Sequence, residues 1–409
     1  MYDVIIIGGG IAGLYSAYKI TKMSPQTNIL ILEKSNKRHL GGRMGVDYFK
    51  NTPIMPGAGI GRKHKDFRLI DLLHELNIKY GEFPVSPHYA HTINPVCELK
   101  KTFLMLKHKY NPITDKSKTF KQFAKGLLDD NQYKHFTTCA GYTDYEDEDS
   151  HGTLFRYGFD DNYAKWTGLS IDWKILITKM VDVIGEKNIQ CSREVSKIHY
   201  NNSDDIFMLT TNSNHEYLTN RIIMATTIES VRKLVPGGKQ KNSIYQQICG
   251  QSFLRVYGQF SKESLSIIRE HVPNTIVVPG PIHKIIPMNP DNGVYMIVYS
   301  DNSGADRLNK YSENNEKNRD ELCKIIEKSL GISSRSLKLN EIVSYYWNIG
   351  THYYKPLSDN YKNRNAFIKM AQHPMSNLLV VGEMISTNQG WVEGALESVD
   401  AVVNEKWLK

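Results

Sequence analysis

Hydrophobic and polar positions change rhythm three times along the chain. The opening run Asp3-Val4-Ile5-Ile6-Ile7 is short and, after Asp3, uniformly apolar, which predicts a buried strand. After Gly8-Gly9-Gly10-Ile11-Ala12-Gly13, residues Leu14 to Thr21 predict a helix with Leu14, Ala17 and Tyr18 on one face. Ile29-Leu30-Ile31-Leu32 predicts a second buried strand that ends in Glu33. Asp66 to Leu76 predicts an amphipathic helix with Phe67, Ile70, Leu73 and Leu76 on a shared side, and Asp172 to Ile184 another helix. The rhythm then turns to alternation. Ile189 to His199 reads as the entrance of a strand pair, Ile206–Thr211 and Glu216–Leu218 flank a turn at Asn212-Ser213-Asn214, and Arg221–Ala225 is a buried strand. Phe253–Phe260, Ile282–Pro287, Val294–Ser300 and Glu341–Trp347 predict a half-exposed antiparallel sheet, with a helix over Ser312–Leu330. The end of the chain repeats the opening rhythm, with an apolar strand at Asn377–Val381, then Gly382-Glu383, a loop to Gly390, and a helix from about Trp391 to Trp407.

Strand, glycine turn, helix and strand, closed by an acid about 20 residues past the last glycine, is the dinucleotide-binding order. Gly8 makes the tight turn, Gly10 admits a pyrophosphate to the backbone, and Gly13 lets helix and strand pack closely. Ile11 and Ala12 place bare N–H groups of the helix start before the phosphates. Glu33 accepts from both ribose hydroxyls and repels a 2′-phosphate, which disfavours NADP. The motif alone does not separate FAD from NAD. Leu40-Gly41-Gly42-Arg43 suits a second phosphate contact, with Lys34 nearby. Pro56-Gly57-Ala58-Gly59-Ile60-Gly61 lets backbone pass close to a flat or phosphorylated ligand.

With similar strands at both ends, the fold expected is α/β: a Rossmann-like FAD-binding domain carrying an inserted mixed or antiparallel-sheet α+β substrate domain. The expected boundaries are 1–76, 185–236 and 365–409 for the cofactor domain, and 77–184 and 237–364 for the substrate domain. A net charge of +8 spread over many lysines gives no basis for nucleic-acid binding. Lys100–Lys125 (basic) and Tyr145–Asp149 (acidic) read as solvated faces or loops. The sharper reading of the acidic run is a funnel for a cationic substrate. Five cysteines without a CxxC pair argue against a metal site or a disulfide framework and fit a reducing, cytoplasmic compartment. No signal segment or membrane span is visible.

Taken together, these residues resemble the flavin-containing amine oxidoreductases, the monoamine and polyamine oxidase group. The resemblance rests on Ile7–Gly13, Glu33, Gly41-Gly42-Arg43, Pro56–Gly61 and the closing Gly382-Glu383 … Gly390-Trp391-Val392-Glu393-Gly394-Ala395. It implies FAD rather than NAD. It also implies that Val195 and Ala225 lie near the cofactor, that Glu383 binds the ribityl chain, and that Val392 and Ala395 meet the flavin edge. Trp391 is expected as one aromatic wall before the flavin. Trp347 lies in the stretch that resembles the source of the other, and His352 or Tyr353 is that second wall. The activity implied is oxidation of a neutral amine, with O₂ as acceptor and release of H₂O₂. A flavin desaturase or C–C oxidase with an apolar substrate, or a low-turnover flavoprotein with a structural or partner-binding role, are the alternatives.

Three departures qualify the resemblance. Thr351 stands where some members attach FAD to a cysteine, so non-covalent FAD is expected. The sequence carries no membrane tail before Lys409. Arg255 stands where most amine oxidases carry a lysine beside flavin N5. If it is not simply a solvent-facing strand residue, a fixed cation there disfavours a second cation and favours a substrate with a carboxylate or other acceptor.

Overall fold

The computed structural model describes residues 1–409. The opening strand, Tyr2–Ile7, is the centre of a seven-stranded sheet. It pairs in parallel with Ile29–Leu32 on one side and with Glu216–Met224 on the other. Leu378–Val380 adds in parallel to Glu216–Met224, so both ends of the chain build the same sheet. The run Val195–Asn201, Ile206–Thr211, Glu216–Met224 is an antiparallel meander. Buried on both faces, the central strands are apolar throughout rather than alternating.

One face of this sheet is covered by the helix Ile11–Met23, the helix Trp173–Ile184 and the final helix Val392–Asp400, which share a core with Val4, Ile6 and Leu379. Trp173–Ile184 therefore packs with the cofactor domain, although its segment of the sequence is expected in the substrate part.

The second sheet has five strands in the order Ile276–Val277, Lys284–Asn289, Val294–Asp301, Ile248–Phe260, Leu339–Tyr354. All its pairs are antiparallel. One face is packed by the helices Leu265–His271, Asn302–Asn309 and Glu316–Leu330. The other turns toward the cofactor domain: Tyr257, Met296, Tyr299 and Tyr345 pack with Phe49 and Ile54 of a short hairpin. A helical layer between residues 99 and 155 closes this side around Phe103, Phe120, Phe136 and Phe159.

Several expectations are corrected. Phe67 is 62% exposed and Ile70 half-buried; Leu73 and Leu76 are buried as read, and Leu69 and Leu72 complete the buried face of the helix Phe67–Glu75. The closing helix ends at Asp400, and a separate turn of helix spans Glu405–Leu408. Cys97 and Cys139 form a disulfide with a Cα–Cα separation of 5.7 Å, across 42 residues of sequence. No motif links them; the packing of the helices Leu99–Lys109 and Asp130–Ala140 brings them together. The bonded pair removes the cysteine argument for a reducing compartment. No helix is long and apolar enough to cross a membrane.

Candidate active site

The glycine turn has the stereochemistry its spacing predicts. Gly8 takes φ +107°, and a Cβ there would lie 2.4 Å from the Ala225 carbonyl oxygen. A Cβ on Gly13 would meet the Gly8 carbonyl oxygen at 1.9 Å, so only glycine allows this strand–helix contact. Around Gly10 and Gly59, by contrast, a Cβ would meet nothing within 4 Å, which is the open cradle a dinucleotide backbone needs. The helix that starts at Ile11 has no side-chain cap and no acid in its first turn, leaving its N–H groups free for phosphate. Glu33 is buried; its carboxylate accepts from Gly9 N–H and Ser35 N–H at 2.7 Å each, which aims it across the turn. Arg193 N–H donates to the Glu33 carbonyl, and this tie brings the start of Val195–Asn201 beside the same edge. Lys34, expected as a contact, is exposed. Gly42 lies against Gly10, and Ala58 N–H donates to the Arg43 carbonyl, bringing the second and third glycine segments onto the first. These residues fit FAD.

Arg43 joins these segments to the end of the chain. Its Nη1 donates to the Gly350 carbonyl at 2.8 Å and to Glu383 Oε1 at 2.9 Å. Gly390 N–H donates to Glu383 Oε2 at 2.9 Å, and His352 Nδ1 donates to Oε1. Burial raises the Glu383 carboxyl, but His352 and Arg43 beside it win and hold it at about 2. Ile228 N–H donates to His352 Nε2 at 3.2 Å, so both ring nitrogens are engaged. His352 is thus a buried prop for Glu383 and not a wall of the site. Tyr353, on the opposite face of the strand, sits across from Cys249. Trp347 is half-buried at the junction of the domains, with its Nε1–H on the Pro56 carbonyl at 2.7 Å.

Trp391 caps the final helix, whose first N–H groups have no side-chain acceptor; Val392 and Ala395 follow in that first turn. The Arg62 guanidinium stacks 3.7 Å from the Trp391 ring centroid. Arg62 is buried and held by Asp66 at 2.7 Å and Asp161 at 3.2 Å. Asp66 occupies the N-cap position of Phe67–Glu75 but is drawn off to Arg62; Glu393 caps that helix instead, accepting from Leu69 N–H at 3.0 Å. This support for Trp391 is not legible in the sequence.

The flavin-domain side of the five-stranded sheet carries the other half of the site. Arg255 stands opposite Tyr299 and Tyr345 on its neighbouring strands. It is 3% exposed, which removes the solvent-facing reading. Three arginines are buried: Arg62 pairs with Asp66, Arg364 pairs with Asp149, and Arg255 pairs with no carboxylate. Its Nε has no partner, and its Nη1 reaches only the Leu254 carbonyl at 3.4 Å. Its guanidinium lies 3.5 Å from the Tyr299 ring centroid and 4.7 Å from that of Phe253. Such stacking contributes about 2 kcal/mol when desolvated, against several kcal/mol for a buried charge left unpaired.

Lys284 joins the same face, with Nζ 3.5 Å from the Tyr142 ring centroid and 5.9 Å from that of Tyr299. Burial pushes the Lys284 ammonium down to about 7, against the pull of Asp144 and Asp301. Burial also raises the Asp144 carboxyl to about 7, helped by Asp301; Tyr157 O–H donates to it at 2.6 Å. Tyr142, Asp144, Tyr157 and Lys284 are each half-buried. Gln251 links this group to the final loop: its Nε2 donates to the Asp144 carbonyl and to Thr351 Oγ1, both at 2.9 Å, and Thr351 packs on Gly390. Lys284 has a signal in the sequence, a cation inside the predicted strand Ile282–Pro287. Tyr142 and Asp144 have none.

The acidic run is not a solvated loop. Tyr145, Glu148 and Asp149 are buried; Asp149 caps the helix Ser150–Phe155 and pairs with Arg364 at 2.9 Å. Glu148 and Asp149 border a cleft that Tyr157, Tyr354, Asn388 and Trp391 also line. Burial pushes the Glu148 carboxyl well up, so it is no fixed anionic funnel.

Comparison with known proteins agrees with this geometry. The profile of an NAD(P)-binding Rossmann-like domain matches residues 6–55, and that of the flavin containing amine oxidoreductases matches residues 105–403. An uncharacterized protein of Acanthamoeba polyphaga mimivirus is 22% identical over 97% of this chain and 92% of its own length. A putrescine oxidase double mutant, from a redesign of cofactor binding, superposes with a TM-score of 0.74 at 13% identity, covering 98% of both chains. At that identity the superposition speaks to the fold, and the matching profile covers most of the chain. The chain belongs to the flavin-containing amine oxidoreductases and is an FAD-dependent oxidoreductase.

Proposed function

We propose that this enzyme oxidises the C–N bond of a neutral amine to an imine, the two electrons and two protons removed (one from the α-carbon, one from the nitrogen) ending on O₂ as H₂O₂. The observation that carries the reading is the Arg43 hub, where a glycine segment of the cofactor domain, the Gly350 bend of the substrate sheet and Glu383 meet at one guanidinium. Bound FAD supplies the electron acceptor for the chemistry. Gly8–Gly13, Glu33, Gly42, Arg43, Gly57–Ile60 and Glu383 would hold it, and Thr351 offers no thiol for covalent attachment. The uncapped N-terminus at Val392 favours negative charge at the adjoining flavin edge. Trp391, with the Arg62 guanidinium 3.7 Å from its ring centroid, would orient the amine by one face, and Trp347, bonded to the Pro56 carbonyl, would supply the second wall. Arg255, Lys284 and Asp144 give this face of the sheet polar and charged groups, which supports an amine over an apolar substrate and disfavours the desaturase reading.

Flavin spectroscopy provides the test. Purified protein should carry oxidised flavin that acid or heat releases intact. Anaerobic addition of amines should bleach the flavin absorbance, and readmitted air should restore it with one peroxide per amine. A flavin that no amine bleaches, but that an apolar alkene precursor does, would replace this reading with the desaturase.

A further inference from the structure

We propose that Arg255 and Lys284 form an anion subsite that binds a carboxylate of the substrate, so that the amine oxidised here is an amino-carboxylate and not a simple monoamine or diamine. The inference rests on the amine-oxidation reading for its substrate, but the subsite stands on its own geometry. Of the three buried arginines, Arg255 alone lacks a carboxylate partner, and its Nε is unsatisfied. Buried guanidinium groups are paired because their five donors lose water on burial. The rings of Tyr299 and Phe253 lie 3.5 and 4.7 Å from the guanidinium, and its donors find no acceptor but the Leu254 carbonyl at 3.4 Å. A planar carboxylate meets that fork edge-on, in the bidentate geometry arginine favours.

Lys284 adds a second, independent observation. It approaches the same Tyr299 ring from the next strand pair, and no carboxylate lies within 4.0 Å of it. The acids that face the pair are already engaged. Asp301 accepts from Thr143 N–H at 3.1 Å and from the Thr143 hydroxyl, and His283 Nδ1 lies 3.7 Å from it. Asp144 accepts from Tyr157, and burial favours its neutral form. Arg255, a fixed cation, and Lys284, whose amine burial lowers to about 7, therefore flank the Tyr299 ring on the face of the sheet that meets the flavin domain. A second ammonium, as in a diamine, would enter against both of them. A carboxylate would complete both.

The experiment uses the purified holoenzyme and matched pairs of substrates: α-amino acids and the amines left when their carboxylate is removed. Flavin reduction is followed anaerobically. The amino-carboxylate of each pair should be preferred in kcat/KM by about ten- to a hundred-fold, the range of one charged hydrogen-bonded contact. Arg255→Gln should collapse that preference through KM, and Arg255→Lys should restore part of it. In parallel, benzoate is titrated into the oxidised enzyme. Saturable perturbation of the flavin spectrum is expected in the wild type, with Kd raised at least ten-fold in Arg255→Gln and in Lys284→Met. Equal kcat/KM for both members of each pair, unchanged by Arg255→Gln, overturns the subsite. If no amine of either kind reduces the flavin, amine oxidation fails and the benzoate titration decides the subsite. Saturable binding lost in both variants then upholds it; no binding, or binding indifferent to both substitutions, overturns it.

Discussion

Gly13 and Arg255 mark two regions of this enzyme that are built by different means. Around Gly13, chemistry is done by backbone. The glycines remove side chains where chain must touch chain or phosphate, and the contacts come from N–H groups whose direction follows from the turn itself. Around Arg255, the candidate site is built from side chains. Arg255, Tyr299, Lys284, Tyr142 and Asp144 come from four separate segments, and side-chain contacts between those segments hold them. The first region tolerates almost no substitution and stores little electrostatic tension. The second tolerates substitution sterically but concentrates buried, titratable groups. The difference predicts which changes cost structure and which change pH behaviour and specificity.

The largest effect should come from the backbone-built region. Gly13→Val would drive a Cβ into the Gly8 carbonyl, a contact with nowhere to relax, and should destabilise the fold by about 3 kcal/mol while abolishing flavin retention. Flavin absorbance per chain and melting temperature, read on one sample, check both; a flavin-loaded, stable variant would break the comparison.

Next is Glu383→Gln, which leaves Arg43 without its carboxylate and should cost about 3 kcal/mol. Because the folded carboxyl is depressed from 4.5 to about 2, its stabilisation is present above about pH 4.5 and disappears as pH falls through about 2. The wild type should therefore lose more stability than the variant on acidification over that window, which parallel urea titrations would reveal.

A smaller effect separates two neighbours in the cradle. On the assignment of the buried Glu33 carboxylate to the ribose hydroxyls, Glu33→Ala should weaken FAD binding by about 1.5–3 kcal/mol. Lys34→Ala, and single lysine changes between 100 and 125, should stay within about 0.5 kcal/mol. Flavin dissociation constants of the variants test the assignment; equal values would refute it.

The subtlest effect belongs to the side-chain-built region. Asp144 is raised from 3.8 to about 7, so its burial cost grows as pH rises through that window. Lys284 is lowered from 10.5 to about 7, so its cost is full below about pH 7 and fades as pH rises toward 10.5. The pair should impose a shallow minimum of stability near neutral pH. Melting temperatures across pH 4 to 10 should show this dip in the wild type and lose it when Asp144→Asn and Lys284→Met are combined.

The legible parts of the site follow the same division. Gly8, Gly13, Glu33 and Arg43 are readable because a turn, a helix start and a ribose acid impose fixed local spacing. His352 is not: alternation shows that it faces away from Tyr353, but not that it is spent on Glu383 and Ile228. The acidic run Tyr145–Asp149 misleads because composition alone makes it a surface. Its burial depends on Arg364, which lies 215 residues from Asp149. Nothing in the sequence pairs Cys97 with Cys139, because their distance along the chain carries no information about two helices that pack face to face.

Local sequence suffices for the parallel sheet built from both ends of the chain, for the flavin cradle, and for the membership that the closing Gly-Trp-Val-Glu-Gly-Ala segment implies. Apolar runs, glycine conformations and helix starts are settled within a few residues, so no distant segment is needed to read them. Which charges are neutralised and which are not is a property of the assembled molecule alone. Arg62 has Asp66 four residues on, but Arg364 and Arg255 look alike in sequence, and what separates these two is whether a distant segment brings a carboxylate within about 3 Å, where the attraction offsets the loss of water.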